Sequence, residues 1–173
     1  MTWIESVLYF AGYPQGASLD VLFNRTDMYK SFFKAKSDFV KEPIPESGLE
    51  GIWERFLKEE LVFMIMDPFG GKMNDISENT LPFPHRKGNL YNIQYFIQWK
   101  DEGVGPSKRH IEWIRRVYKH MTPCVSHSPR TAYLNYRDLD LGRNDNENTT
   151  YSQAARWGLK YYKNNFRRLA IVK

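Results

Sequence analysis

The sequence predicts an α+β fold, a largely antiparallel sheet covered by helices, and three observations carry that prediction. Leu90–Trp99 alternates cleanly, with Tyr91, Ile93, Tyr95, Ile97 and Trp99 on one side and Asn92, Gln94, Phe96 and Gln98 on the other, as a strand with two distinct faces does. Leu49–Glu59 and Ser107–Met121 instead carry apolar residues at helical spacing. No repeat and no linker interrupts the 173 residues, so one structural unit is expected, long enough to bury a core of its own.

The elements follow in order. Ile4, Val7, Leu8 and Ala11 open the chain as a short helix that ends near Gly12-Tyr13-Pro14. Leu19–Phe23 reads as a loop or a short helical turn. Phe32–Val40 is extended and is closed by Pro43 and Pro45. Ser47 is a fair N-cap for Leu49–Glu59, whose Leu49, Ile52, Trp53, Phe56 and Leu57 form one apolar stripe. Leu61–Met66 is a continuous apolar strand stopped by Asp67-Pro68, and Asp101–Pro106 is a turn. Ser107 then caps a helix that turns Ile111, Ile114, Val117, Tyr118 and Met121 inward, with Lys108, Arg109, Arg115 and Arg116 as a solvated face. Tyr133–Asp138 alternates like a strand and is broken by the turn Leu139–Gly142. A polar loop, Arg143–Thr150, leads into a helix from about Tyr151 to Arg168, and Leu169–Val172 begins a further strand.

Composition narrows the function classes. Hydrophobic residues make up 42% and charged residues 26%, ordinary values for a globular protein. Aromatic residues reach 16%, a load suited to cores, interfaces or a flat ring ligand. The net charge of +5 is scattered, with no block of five like charges, so no nucleic-acid partner is expected. No apolar run approaches the roughly 20 residues of a membrane span, and Met1–Gly12 lacks the basic leading region of a signal peptide. The single cysteine, Cys124, excludes an internal disulfide and reads as a small apolar residue. His110, His120 and His127 have no partner spacing suited to zinc, so no metal site is expected. Gly70-Gly71 is a turn rather than a phosphate loop. Asn24-Arg25-Thr26 and Asn148-Thr149-Thr150 are glycan acceptors only for a chain that enters the secretory pathway.

The most informative segment is Ser128–Asn144, SPRTAYLNYRDLDLGRN, which sets two phenols, an amide and a guanidinium within five residues. It resembles the signature of the berberine-bridge-enzyme-like flavoproteins of plants. The resemblance extends along the chain. It takes in Thr2–Gly12, Phe33–Val40 (FKAKSDFV), Phe69–Met73 (FGGKM), Pro82–Asn89 (PFPHRKGN), and Trp157–Tyr162 with Asn165–Leu169 (WGLKYY and NFRRL). It implies the substrate side of a vanillyl-alcohol-oxidase-type flavoprotein: residues 1–126 as a partial substrate-binding domain and residues 127–173 as a truncated berberine-like C-terminal segment. The family's separate FAD-binding domain has no counterpart ahead of Thr2, so that missing domain is the expected partner and FAD the expected cofactor by resemblance alone. Family members are usually secreted, to cell wall or vacuole; the chain itself sets no location.

The resemblance also implies roles. Tyr136 lies at the position of the tyrosine that acts as, or assists, the catalytic base. Asn92, or Gln94 two residues on, matches the side chain that supports it. Both are amides here and cannot accept a proton at neutral pH, which leaves Tyr136 as the base. Tyr133 and Asn135 match positions close to the flavin, though each reads equally well as a packed strand residue. Gln94 and Asp67 are candidate substrate contacts, Asp67 reading otherwise as a turn former. His85 and Arg86 are expected to fix a loop by hydrogen bonds to backbone, and Asp138 and Asp140 to act as local caps. The implied function is part of an FAD-dependent oxidoreductase acting on a small alcohol, sugar or alkaloid-type molecule, inactive alone because the cofactor carries the redox chemistry. A non-catalytic module that binds a small molecule or a protein on its aromatic sheet face is the alternative.

Overall fold

The computed structural model describes residues 1–26, 31–59, 61–144 and 148–172. Contacts divide the chain into two compact units, Met1–Lys30 and Ser31–Lys173, where the sequence suggested one. The first holds helix α1 (Trp3–Phe10) and a 3-10 turn, Leu19–Phe23. A reciprocal capping box starts α1: the Glu5 N–H donates to Thr2 Oγ1, and the Thr2 N–H donates to Glu5 Oε2 at 2.6 Å.

The second unit is built on a three-stranded antiparallel sheet of order β1-β3-β2, from β1 (Phe32–Val40), β2 (Val62–Pro68) and β3 (Tyr91–Trp99). The long alternating strand takes the centre because only a central strand needs both of its faces and both of its edges occupied. Register sets Lys36 opposite Tyr95, Asp38 opposite Ile93, and Asp67 opposite Asn92. Asp67-Pro68 therefore ends β2 rather than stopping it short, and proline is tolerated there because β2 is an edge strand.

Ile93, Tyr95, Ile97 and Trp99 point toward helix α3 (Val104–His120) and are buried against Trp113, Ile114 and Val117 together with Met121. This apolar layer is the core. Helix α3 begins three residues before the expected cap Ser107, whose hydroxyl instead accepts from the Trp99 indole N–H. The basic side chains of α3 do face outward, while Arg115 is also drawn into an ion pair.

Helix α2 (Glu46–Phe56) departs from its predicted stripe. It packs through Gly48, Gly51 and Ile52, while Trp53 is 61% and Leu57 86% exposed. The close approach explains this: a Cβ at Gly51 would strike the His120 ring, and one at Gly48 would meet Ile44 and Cys124. Its N-cap is Pro45, with no side-chain cap, rather than Ser47. The expected helix Tyr151–Arg168 is two helices, α4 (Tyr151–Tyr162) and α5 (Asn165–Val172), separated at Lys163 with φ +46°. Leu169–Val172 is thus helical and not a strand. A Cβ at Gly158 would meet the Phe166 ring, so the sharp turn between α4 and α5 depends on that glycine. The expected loop Arg143–Thr150 falls in part outside the described residues.

His85 is the buried pin of the loop between β2 and β3. It is 1% exposed, stacks on Phe39 at 4.1 Å between ring centroids, and shares a 2.7 Å hydrogen bond between Nε2 and the Tyr161 carbonyl. Burial pushes its pKa down to about 4, against the pull of that carbonyl. An imidazole kept neutral in the folded chain but free to protonate when unfolded lowers stability as pH falls from 6.5 toward 4. The expected size is about 3 kcal/mol in full. Urea unfolding of the parent and His85→Gln across that window checks this: the variant should lose less stability on acidification by about that amount.

Candidate functional site

β1 is a sheet edge, and the segment after α3 covers it. The Ser126 N–H donates to the Phe39 carbonyl at 2.8 Å, and the chain then crosses the edge rather than extending the sheet. The Tyr133 N–H donates to Ser37 Oγ at 2.9 Å, and the Tyr136 N–H to the Tyr133 carbonyl at 3.1 Å, closing a 3-10 turn over Leu134–Tyr136. The predicted Tyr133–Asp138 strand is therefore a turn. Its alternation of apolar and polar residues serves a segment that faces the sheet with Tyr133 and Tyr136 and turns Leu134 and Asn135 outward.

Charge holds the turn in place. Asp138 accepts from Lys34 Nζ at 2.7 Å and from Lys36 Nζ at 2.5 Å, and its side chain is 1% exposed. Lys36 also pairs with Asp140 at 2.9 Å, and Arg115 donates Nε and Nη2 to the same carboxylate at 2.9 and 2.6 Å. These partners, the Arg115 hydrogen bond first, hold the Asp140 carboxyl well below the usual range. The Tyr161 hydroxyl closes the ring, accepting from the Asp138 N–H and donating to the Asp138 carbonyl. One register step along β1, Arg130 grips buried Asp38 with Nε and Nη2 at 2.6 and 2.5 Å. Burial lifts Asp38 to about 6, and Arg130 keeps it ionised at neutral pH. Asp138 and Asp140 are thus salt-bridge anchors more than local caps. The sequence holds a signal for this: lysines at 34 and 36 share one strand face, matched by aspartates two apart at 138 and 140.

The candidate site lies on the sheet face away from α3, where Ser37, Phe39, Asn92, Gln94 and Asp67 share one side. The Tyr136 hydroxyl donates to Asp67 Oδ2 at 2.9 Å. Burial first, then the Asp67 hydrogen bond and charge, raise the Tyr136 phenol above its ordinary value. Tyr133 meets Tyr136 edge to face at 5.1 Å, and Asn135 Nδ2 donates to the Tyr133 hydroxyl at 2.8 Å. Asn92 is fully buried; its Nδ2 donates to the Asp38 carbonyl at 2.9 Å, and its Oδ1 is unpartnered among the described residues. Gln94 is half-buried, and its side chain makes no hydrogen bond among the described residues. The structure thus brings Tyr133, Asn135, Tyr136 and Asp67 into direct contact, sets Asn92 opposite Asp67 in the strand register, and places Gln94 one step along the same face.

That face has a closed end and an open end. Phe39, His85, Phe83, Phe69 and Tyr133 form a continuous ring cluster over the first. At the second, Phe33 stacks on Phe96 at 5.5 Å, and Phe33 is 65% and Phe63 51% exposed. A flat ring system laid there would meet aromatic surface, with Gln94 one register row along the same face. Exposed aromatic surface of this kind suits contact with a flat ring such as the flavin that the resemblance implies. Among the described residues no group of histidine, cysteine or carboxylate side chains could hold a metal ion, and no helix is long and apolar enough to cross a membrane.

Known proteins resemble this chain in sequence and in fold. Residues 132–173 match the family model "Berberine and berberine like". The whole chain is 55% identical to berberine bridge enzyme-like 23 of Arabidopsis thaliana and 51% identical to tetrahydroberberine oxidase of Berberis wilsoniae, covering 32% and 33% of them. The solved structure of Phl p 4, a grass pollen allergen with glucose dehydrogenase activity, superposes on 99% of the chain at a TM-score of 0.84 with 42% identity, the match covering 35% of that protein. The chain spans about a third of the length of the curated relatives it matches.

The ion pairs generate a contrast that can be measured. Asp138→Asn leaves Lys36, whose side chain is 3% exposed, short of one buried counter-charge, and is expected to cost about 3–5 kcal/mol in urea unfolding. Arg115→Ala removes a partner that is 53% exposed and should cost under about 1 kcal/mol.

Proposed function

We propose that this chain, which is similar along its whole length to berberine bridge enzyme-like proteins, forms the substrate-side wall of an FAD-dependent oxidoreductase, with an FAD-binding domain as its partner. The observation that carries the reading is the Tyr136–Asp67 hydrogen bond, set beside exposed aromatic surface on one sheet face. Residues 1–126 would supply the substrate-binding part and residues 127–173 the berberine-like segment that delivers Tyr136.

Bound flavin would accept a hydride from the substrate. Everything else in the step falls to this chain. Tyr133 and Asn135, joined by their own hydrogen bond, would border the flavin ring. Gln94, an amide with a free donor and acceptor, would orient the substrate. Tyr136 would take the proton of the substrate hydroxyl as the hydride departs. Asn92 is too deeply buried and too firmly held to touch a substrate. Its part is to sit between Phe39 and Asp67 in the register and tie β3 to β1 through the Asp38 carbonyl. A small alcohol or sugar meets these requirements, as does an alkaloid-type substrate with an ionisable hydroxyl. The names of the relatives, which include a tetrahydroberberine oxidase and an allergen with glucose dehydrogenase activity, support that range.

Two measurements test the reading. The 173-residue chain alone should emerge from gel filtration colourless, since it offers one wall of the cofactor site; retained flavin absorbance would count against it. Joined to the flavin-binding part of a relative, the chain should reduce flavin in rapid mixing, and Tyr136→Phe should slow that by at least about 10²-fold, the lower end of general-base contributions. Asn92→Ala should slow it less.

A further inference from the structure

From the Tyr136–Asp67 contact we infer that Asp67 is the proton-accepting partner of Tyr136, so that the two side chains work as a relay in which the phenol passes a proton on rather than acting as a resident phenolate. This rests on the function proposed above and extends it to a residue that an assignment of Tyr136 as base leaves unused.

Three features of the structure carry it. First, the geometry is that of a donor and its acceptor: the Tyr136 hydroxyl points at Asp67 Oδ2 from 2.9 Å. Second, Asp67 differs from the other carboxylates around β1. Asp38, Asp138 and Asp140 are each held by lysine or arginine, whereas Asp67 has no cation within ion-pair distance among the described residues. The Asp67 oxygens are therefore not committed to a cation and stand open to the Tyr136 hydroxyl. Third, burial and the charged neighbours acting on the Tyr136 phenol among the described residues favour its neutral form. The titratable neighbours of Tyr136 are Asp67 and Tyr133, neither of them cationic, and both raise the phenol's pKa. A resident phenolate at neutral pH is therefore disfavoured, and a relay removes the need for one.

The step balances as follows. The substrate O–H breaks and its proton bonds to Tyr136 Oη; the proton that Tyr136 carried moves to Asp67 Oδ2. The C–H electron pair leaves as hydride to an oxidised flavin, and the substrate becomes a carbonyl. Asp67, at the exposed edge of β2, then returns its proton to water. Asp67 acts through Tyr136 and is a positioning and proton-accepting residue, not one that touches substrate.

The test uses the flavin-loaded protein containing this chain, with Asp67→Asn, Asp67→Glu and Tyr136→Phe. Its readouts are the pH profile of flavin reduction and the phenol titration of Tyr136, the latter taken as the ultraviolet difference against Tyr136→Phe. Asp67→Asn keeps shape and a hydrogen bond but cannot accept a proton. It should lower the neutral-pH rate by at least about tenfold, lower the titration point of Tyr136, and recover rate at high pH as the phenol itself ionises. Asp67→Glu should restore much of the neutral-pH rate. Equal neutral-pH rates for parent and Asp67→Asn, with Tyr136→Phe still slow, would overturn the relay and leave Tyr136 as base. Slowing at every pH, with the Tyr136 titration unmoved, would also overturn it, since a packing role alone gives that result. An unimpaired Tyr136→Phe would instead overturn the base assignment itself, and the relay with it.

Discussion

The pairing of charges along β1 is the constraint on which the rest of the second unit depends. Lys34, Lys36 and Asp38 alternate down an edge strand, and each faces an opposite charge from the segment that follows α3. An edge strand carrying three charges on its core-facing side is unstable alone, because burying a charge without a partner costs several kcal/mol. Matched by Asp138, Asp140 and Arg130, the same residues specify where that segment must lie. Arg130 adds bonds to the Thr122 hydroxyl and the Tyr118 carbonyl and covers the Tyr118 ring at 3.4 Å, so the end of α3, β1 and the turn are fixed by one guanidinium. Tyr133 and Tyr136 reach the opposite sheet face only because this fastening holds the chain as it rounds the edge.

The two faces of the sheet meet different demands. The α3 face is sealed by interlocking aliphatic and aromatic side chains and supplies most of the apolar burial. The other face is sealed only where His85 stacks on Phe39, and its far end presents Phe33 and Phe63 to solvent. Exposed aromatic surface next to a half-buried hydroxyl–carboxylate contact is costly to a free-standing unit and suits a surface completed by something else. Under the proposed function that completion is the flavin and the domain that holds it. The rigid end of the face then carries the proton chemistry and the open end receives the ring.

Much was legible in the sequence, and the reasons differ by element. Strand β3 was legible to within one residue because its period of two is unbroken over nine positions and its two faces differ in polarity. Helix α3 was legible for the same reason at a period of 3.6, although its cap was misplaced. His85 was expected to fasten its loop by a hydrogen bond to backbone, and it bonds the Tyr161 carbonyl. The signature around Tyr136 marked the site by resemblance, yet its conformation was misread. A short run of alternating residues is equally compatible with a strand and with a turn that dips its side chains onto a sheet, and the decision lies with Ser37 Oγ and the Asp138 ion pairs, far away in sequence. The stripe on α2 failed because contact there runs through glycines, which hydrophobic periodicity does not register.

The sequence by itself determined the fold class, the long alternating strand, the main helix of the core and the family resemblance, because each of these rests on local period or on ordered motifs. Tertiary structure alone decided that Lys36 and Asp138 meet across 102 positions, that Asp38 is ionised inside the protein by Arg130, and that Tyr136 has Asp67 as its acceptor across 69 positions. It also decided that Asn92 is fully buried, with its amide bonded to the Asp38 carbonyl. Those facts concern which charges lie within a few ångströms of one another. Electrostatic and hydrogen-bond energies fall off over such distances, so no pattern along the chain fixes them until the sheet register and the path around its edge are set.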